Sequence, residues 1–356
     1  MEIYHVPASF PLPVRHFQRN SPSTSLSCSA AVVSSSSQSD KIESECRNRM
    51  FILGMGFVGQ FFAQSLKKEG WAVTGTCTSI MKKKELEKRG FDVCLFDANE
   101  PDRLSILSTL KSYTHLLVSI PSIVGIGDPV LRHGDLLRST LMDGNLQWLS
   151  YLSSTSVYGN CAGAWVDEDY PASPVSEVAK SRLAAEEGWL NLGSSLGLSM
   201  QVFRLGGIYG RGRSAVDTII KQEPLSKFQK MRVSRQYTSR VHVEDICQAL
   251  KASIYMPSIS RIYNIVDDDP APREEVFAYA EELIEKKWPT WVRRSTSSER
   301  AISCDKKGSS TGEKRVCNER MKTELGVTLL HPSYRSGLLS IIDQMENPFQ
   351  SSPFQS

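Results

Sequence analysis

The sequence predicts an α/β fold, a doubly wound parallel sheet with a small C-terminal α/β lobe, and three observations carry that prediction. From Met50 onward, short apolar runs alternate with longer amphipathic ones. The runs are continuously apolar rather than alternating, as strands covered on both faces must be. The first run enters the first amphipathic stretch through a glycine-rich turn, FILGMGFVGQ (51–60).

Taken in order, MFIL (50–53) is a buried strand and residues 57–68 a helix. WAVTGT (71–76), FDVCLF (91–96), HLLVSI (115–120) and WLSYLS (148–153) continue the strands, with charged or amphipathic segments between them. Alternation of this kind lays helices over both faces of a parallel sheet. Beyond Gly159 the pattern loosens. A helix over about 175–193 leads to strand MQVFRL (200–205), then RVHV (240–243), a helix over 244–255, IYNIV (262–266) and a helix over about 272–286. Residues 294–313 are polar and Ser/Lys-rich and read as a mobile loop. The chain after Asn347 reads as a frayed tail, and no internal repeat is present. The organisation expected is a leader over 1–47, one sheet domain over 48–345 whose lobe is mainly 206–240 and 262–345, and a tail over 346–356.

Composition narrows the function classes. The 356 residues are 40% hydrophobic and 23% charged, enough for one large α/β domain. A net charge of +3 does not demand a polyanionic partner. No apolar run reaches the ~18 residues that span a bilayer, so no membrane segment is expected. The eight cysteines are scattered with no CxxC pair or zinc spacing, so they read as free thiols and no metal is expected. The first 47 residues are Ser-rich, with Glu2 the only acid before Asp40. Such a segment is expected to be a plastid transit peptide, giving a chloroplast stroma location; a disordered tail without an address is the alternative.

The glycine turn carries the strongest chemical signal. Gly54, Gly56 and Gly59 stand in G-x-G-x-x-G spacing between a strand and a helix, the Rossmann-type dinucleotide fingerprint. The first glycine permits a tight turn, the second lets the backbone approach a diphosphate, and the third lets helix and strand pack closely. The helix amides and dipole then face the phosphates. A glycine-rich turn without a ligand is the bland alternative. An NAD site usually has a carboxylate about 20 residues on. Here Cys77, Thr78 and Ser79 stand there, followed by Lys82, Lys83 and Lys84. Hydroxyls and ammonium groups suit a 2′-phosphate, so NADP is expected over NAD, although the lysines also read as a solvated helix face. Asp97 is placed either at an adenine edge or as a turn cap. The candidate cofactor-binding set is Gly54, Gly56, Phe57, Val58, Gly59, Thr78, Ser79, Asp97, Ser119, Ile120, Pro121 and Ser153.

Several stretches together resemble the extended short-chain dehydrogenase/reductase family. YLSSTSVYG (151–159) and FRLGGIYGRG (203–212) are similar to its fifth and sixth strands, and SRVHVEDICQAL (239–250) and IYNIVDDDPAP (262–272) to its lobe motifs. VYGNCAGAWVDEDYPASPVSE (157–177) and HPSYRSGL (331–338) resemble its atypical, YeeZ-like, epimerase/dehydratase-related subgroup. The resemblance covers about residues 50–340 and implies one Rossmann domain, a lobe and a substrate cleft between them. LGMGFVG also suits a hydroxyacid dehydrogenase, which does not predict the later stretches.

The family's chemistry uses a Tyr phenol as proton carrier, a Lys one helical turn on, and a Ser or Thr from the fifth strand. By resemblance the Ser role falls on Ser154 and the Lys role on Lys180. The Tyr position then holds Ser176, too short and too weakly acidic for the task. Tyr158 and Tyr209 are expected to pack and hydrogen-bond. Asp167, Glu168 and Asp169 are expected to form a solvated turn, and His242 to be satisfied by Asp245 or the backbone. The leading expectation is therefore an NAD(P)-dependent oxidoreductase or epimerase-like enzyme with a non-standard proton donor, acting on an unidentified small metabolite. A catalytically silent NADP-binding sensor or assembly protein is the alternative. An RNA-binding role is the third reading, and without aromatics among its basic segments RNA is not an expected partner. A homodimer would use helices near 134–147 and 175–193 through Leu136, Leu137, Leu141, Trp189 and Leu190, which could equally face the core.

Overall fold

Strand and helix alternate as the periodicity requires in the computed structural model, which describes residues 48–221, 237–256, 260–289 and 313–348. The leader over 1–47, all but Glu313 of the 294–313 loop, and the tail beyond Pro348 lie outside the described residues. The elements are β1 (Arg49–Leu53), α1 (Phe57–Lys68), β2 (Ala72–Cys77), α2 (Ile80–Lys88), β3 (Asp92–Leu95), β4 (His115–Val118), α3 (Gly134–Met142), β5 (Trp148–Ser154), β6 (Trp165–Val166), α4 (Glu177–Ser195), β7 (Met200–Leu205), β8 (Gly207–Tyr209), α5 (Ala215–Lys221), β9 (Arg240–His242), α6 (Val243–Tyr255), β10 (Arg261–Ile265), α7 (Arg273–Lys287), β11 (Arg315–Val316), α8 (Glu319–Leu325) and α9 (Tyr334–Asp343). A 3₁₀ segment over Pro101–Ser112 replaces a full helix before β4.

Seven strands form one sheet in the order β10-β7-β5-β4-β1-β2-β3, every pair parallel. The order reverses between β1 and β4, and such a switch point opens a crevice at the carboxyl ends of the strands. One face packs Phe62, Ala63 and Leu66 of α1 and Ile246, Ala249 and Leu250 of α6 against the strands. The other face packs Leu137 and Leu141 of α3 and Ala185, Trp189 and Leu192 of α4. The i, i+3, i+4 spacing in α1 gives it one apolar face, and Lys67 and Lys68 in its last turn oppose the helix dipole.

The lobe is smaller than the sequence implied. Its own core lies between α5, α7 and α9, around Val216, Ala280, Ile284, Leu338 and Ile342. Met321 and Leu325 of α8, assigned to the lobe by sequence position, instead join the sheet core beside α6. RVHV does not enter the main sheet: β9 pairs with β8, and β6 pairs with β11, as separate two-stranded ribbons. The apolar residues offered for dimerisation are used within the chain. Leu137, Leu141 and Trp189 are buried, and Leu136 and Leu190 pack against the same cluster. No helix among the described residues is long and apolar enough to cross a membrane.

One core group sets an acid limit. His115 is buried at the start of β4, edge-on to Trp71 at 4.7 Å and near Trp148, with Nδ1 2.8 Å from Thr114 Oγ1. Burial pushes its pKa down to about 4, against about 6.5 for an exposed imidazole. The unfolded chain therefore takes up the proton first on acidification. Stability attributable to this residue is intact above about pH 6.5 and falls as the pH drops toward 4, by roughly 3 kcal/mol in all. His115→Phe is expected to flatten the urea-unfolding profile between pH 6.5 and 4; an unchanged slope would refute the assignment.

Candidate functional site

Each glycine of the first turn has a distinct steric reason. Gly54 sits at φ +104°, and a Cβ there would lie 3.1 Å from the Ser119 carbonyl carbon and 3.2 Å from the Ile120 nitrogen. Its amide donates to Thr76 Oγ1 at 2.9 Å, and the Met55 amide donates to the Thr76 carbonyl at 2.8 Å, so β2 pins the turn. A Cβ on Gly59 would stand 2.5 Å from the Gly54 oxygen, so no other residue allows this helix–strand approach. Gly56 differs: a Cβ there meets nothing within 4 Å. It is the N-cap of α1, no side chain caps the helix, and its first turn carries no acid. The leading amides of the helix, those of Phe57, Val58 and Gly59, have no intrahelical acceptor. They stand with the positive dipole end beside an open volume. The sequence missed Met55, whose buried side chain fills the space above Gly75; a Cβ on Gly75 would lie 2.2 Å from Met55 Cγ.

At the end of β2, Thr78 is exposed and Ser79 is the N-cap of α2, accepting from the Lys82 amide at 3.2 Å. Lys82 pairs with Glu85 at 3.0 Å and Lys83 with Glu87 at 3.5 Å, as helix-surface pairs do. Arg103 reaches this end, with Nη1 3.3 Å from the Thr78 carbonyl and Nε 2.6 Å from Glu100. Sequence reasoning passed over it because it follows β3, not β2. Asp97 Oδ1 accepts from the Asn99 amide and side chain at 3.0 Å each, the turn cap of the two roles considered. Ser119 and Ile120 run against Gly54, with the Ser119 amide donating to Leu53 at 2.8 Å, and Pro121 is exposed.

The floor of the crevice at β5 is a buried polar row. Ser153, Arg204 and Asn264 stand side by side across β5, β7 and β10. Ser153 donates to Glu186 of α4, and Arg204 donates to the same carboxylate through Nε and, at 2.8 Å, Nη2. The Arg204 guanidinium lies 4.8 Å from the centre of the Tyr158 ring, and Tyr158 donates to Asn264 Oδ1 at 2.8 Å. Burial pushes the Tyr158 phenol up to about 12. Burial likewise raises the Tyr209 phenol, which donates to the Ser333 carbonyl at 3.4 Å. Neither phenol is suited to exchange protons near neutrality. Ser153 is thus engaged beneath the crevice rather than along it.

Above that floor Lys180 and Arg182 have different partners. Lys180 is exposed and pairs with Glu177 at 2.8 Å, and Ser176 lies outside α4 as its N-cap, accepting from the Ala179 amide at 3.2 Å. Neither points at β5. Arg182 does: its Nη1 donates to Ser156 Oγ at 3.3 Å, and Ser154 Oγ accepts from the Ser156 amide at 3.2 Å. Arg182 and the buried Glu186 are four residues apart, one helical face. The residue one turn before Arg182 is Val178, which is exposed. The sequence signal that would have set this phase is Glu186, an acid in an apolar helix face.

The acid trio is not a uniformly solvated turn. Glu168 is buried and accepts from the Asn264 amide at 2.7 Å; burial raises its pKa. Asp167 caps the turn, and Asp169 pairs with Arg320 at 2.6 Å, which lowers its pKa. His242 is held by the backbone, the second of its two expected partners, while the Asp245 carboxylate accepts the amides of Leu330 at 2.6 Å and His331 at 3.2 Å. Nδ1 of His242 accepts from the Glu244 amide at 3.3 Å, and Glu244 and His331 stand beside it, a trio that spacing did not reveal.

Comparison with known proteins places this geometry in context. Residues 133–265 match the NAD dependent epimerase/dehydratase family. Over 277 residues the chain is 27% identical to the protein YeeZ of Escherichia coli (strain K12), covering 76% of this chain and 93% of that one. A functionally unknown conserved protein from Silicibacter pomeroyi, of known structure, is 32% identical with a TM-score of 0.65, covering 84% and 100% of the two chains. The UDP-glucuronic acid 4-epimerase of Bacillus cereus, solved with UDP-glucuronic acid and NAD, shares the fold at 18% identity and a TM-score of 0.63, covering 83% and 99%.

Proposed function

We propose that this chain, whose residues 133–265 match the NAD dependent epimerase/dehydratase family, is an enzyme that transfers hydride between a nicotinamide dinucleotide and a carbon–oxygen centre of a small metabolite. The observation that carries this reading is the uncapped start of α1 beside Gly56, where a side chain would meet nothing within 4 Å. That geometry suits a diphosphate, whose charge the helix amides and dipole would offset. The bound nicotinamide supplies or accepts the hydride.

The chain's own contribution is at the end of β5. Arg182 cannot act as a proton donor near neutrality, because guanidinium does not release its proton. It would instead hold Ser156 and stabilise negative charge on the substrate oxygen, an electrostatic role. The hydroxyls of Ser154 and Ser156 would position that oxygen and pass its proton to solvent. This replaces the family's Tyr–Lys pair by Ser154, Ser156 and Arg182, with Val178 where the phenol would be. The lack of an acid between Cys77 and Lys84, and Arg103, which pairs with Glu100 and reaches the Thr78 carbonyl at 3.3 Å, favour NADP over NAD. For residues 1–47 the proposal is a plastid transit peptide, tested by import of the full chain into isolated chloroplasts.

The test is calorimetry of NADPH and NADH with the full chain, followed by a screen for nicotinamide absorbance changes. Nucleotide-linked sugars head the panel, since the fold neighbour from Bacillus cereus takes UDP-glucuronic acid. Arg182→Ala is expected to lower turnover on the order of 10²-fold, while Lys180→Ala, the loss of an exposed pair, leaves stability within about 0.5 kcal/mol and turnover unchanged. The reverse ranking would restore the sequence assignment. Tight NADPH binding with no turnover across the panel would favour the silent-sensor reading.

A further inference from the structure

A second cluster of ligating side chains stands at the start of α6. We propose that His242, Glu244 and His331 bind a transition-metal ion of the Zn²⁺ type, with its remaining coordination position open to the cavity along the outer face of α1.

The donor set is a pair of imidazoles and a carboxylate, which suits Zn²⁺. One ligand atom from each residue lies within 4.8 Å of the others. His331 Nε2 is 3.0 Å and His242 Nδ1 3.7 Å from Glu244 Oε2, and the imidazole centroids are 4.0 Å apart. Zinc–nitrogen and zinc–oxygen bonds of about 2.0–2.2 Å at tetrahedral angles put donors about 3.3 Å apart. The two measured separations bracket that value, so only a side-chain adjustment separates the trio from a coordination shell. Binding through His242 Nδ1 would exchange its 3.3 Å bond from the Glu244 amide, a long and weak one.

The scaffold is built. His242 caps α6, Glu244 is in its first turn, and Asp245 holds the Leu330 and His331 amides, so the distant ligand is fixed to the same helix end. Both imidazoles are buried.

Access comes from one side. His242 and Glu244 line a cavity of about 660 Å³ whose other walls include Phe57, Phe61, Gln64 and Lys68, one face of α1, and Arg211. The opposite face of α1 packs on the sheet, and at one end the cavity reaches Phe57, the first residue after the glycine turn. A cavity with Lys68 and Arg211 in its walls would bring an anionic ligand or water to the metal's open position.

The competing account is a bare Glu244–His331 hydrogen bond. Full-length protein, stripped with chelator, is titrated with Co²⁺ and then Zn²⁺. The proposal expects one equivalent of Co²⁺ to give the visible d–d absorption of a four-coordinate site, Zn²⁺ to displace it, and Zn²⁺ to raise the melting temperature. His331→Ala and Glu244→Gln are each expected to weaken Zn²⁺ at least tenfold in calorimetry. Absence of the absorption in the unmutated protein overturns the proposal, whatever the variants do. So does an absorption that Glu244→Gln, at a half-exposed position, and a folded His331→Ala leave unchanged, because the metal then sits on the cysteines or elsewhere. NADPH binding measured on the same samples reads the dinucleotide site independently.

Discussion

A side chain at position 56 is expected to destroy dinucleotide binding without harming the fold. A Cβ on Gly56 meets no atom within 4 Å, and its backbone, at φ −76°, is open to any L-residue. Gly56→Val should therefore unfold at the temperature of the unmutated protein. The same methyl groups would occupy the volume in front of the Phe57 and Val58 amides. Overpacking of this kind costs about 1–3 kcal/mol, or roughly 5- to 150-fold in affinity. Gly59→Ala is the contrasting case. Its Cβ would lie 2.5 Å from the Gly54 oxygen, so helix and strand must part and stability falls with binding. Calorimetry with NADPH beside thermal melting separates the two. Equal affinity in Gly56→Val and the unmutated chain would remove the diphosphate from this turn, and the proposed function with it.

Removing the Glu186 carboxylate is expected to give the largest loss of stability. Arg204 and Glu186 side chains are 5% and 1% exposed, and their bidentate pair, joined by Ser153, is the polar row under the crevice. Breaking a buried pair by deleting one partner costs about 3–5 kcal/mol, because the surviving charge is left in an apolar medium. Glu186→Ala should lower the urea-unfolding free energy by that amount. Replacing both residues by Met should recover most of it, since the pair's attraction mainly offsets its own desolvation. A loss under about 1 kcal/mol in Glu186→Ala would mean that water reaches Arg204. The double Met variant is still expected to bind NADPH poorly, because Tyr158 and Ser153 would lose the partners that hold the end of β5.

The strands were legible because burial on both faces leaves an uninterrupted apolar run, as in MQVFRL, which is β7 residue for residue. The glycine turn was legible because backbone conformation and close approach leave no other residue possible at Gly54 and Gly59. The small ribbons were not, since β6, β8 and β11 have two or three residues each and no periodicity at that length. Likewise, α8 reads as part of the lobe by position and joins the sheet core in space.

What the sequence determined by itself was everything set by local periodicity and by the steric exclusivity of glycine: the parallel sheet, its helices and the dinucleotide turn. The tertiary structure alone decided which side chains meet. It turned Lys180 to solvent and Arg182 to Ser156, buried Glu186 against Arg204, and brought His331 to His242 and Glu244 across 87 to 89 positions of chain. The physical reason is helix phase and long-range packing. One residue of α4 differs from the next by about 100° of rotation, and only contact with the sheet sets which face turns inward.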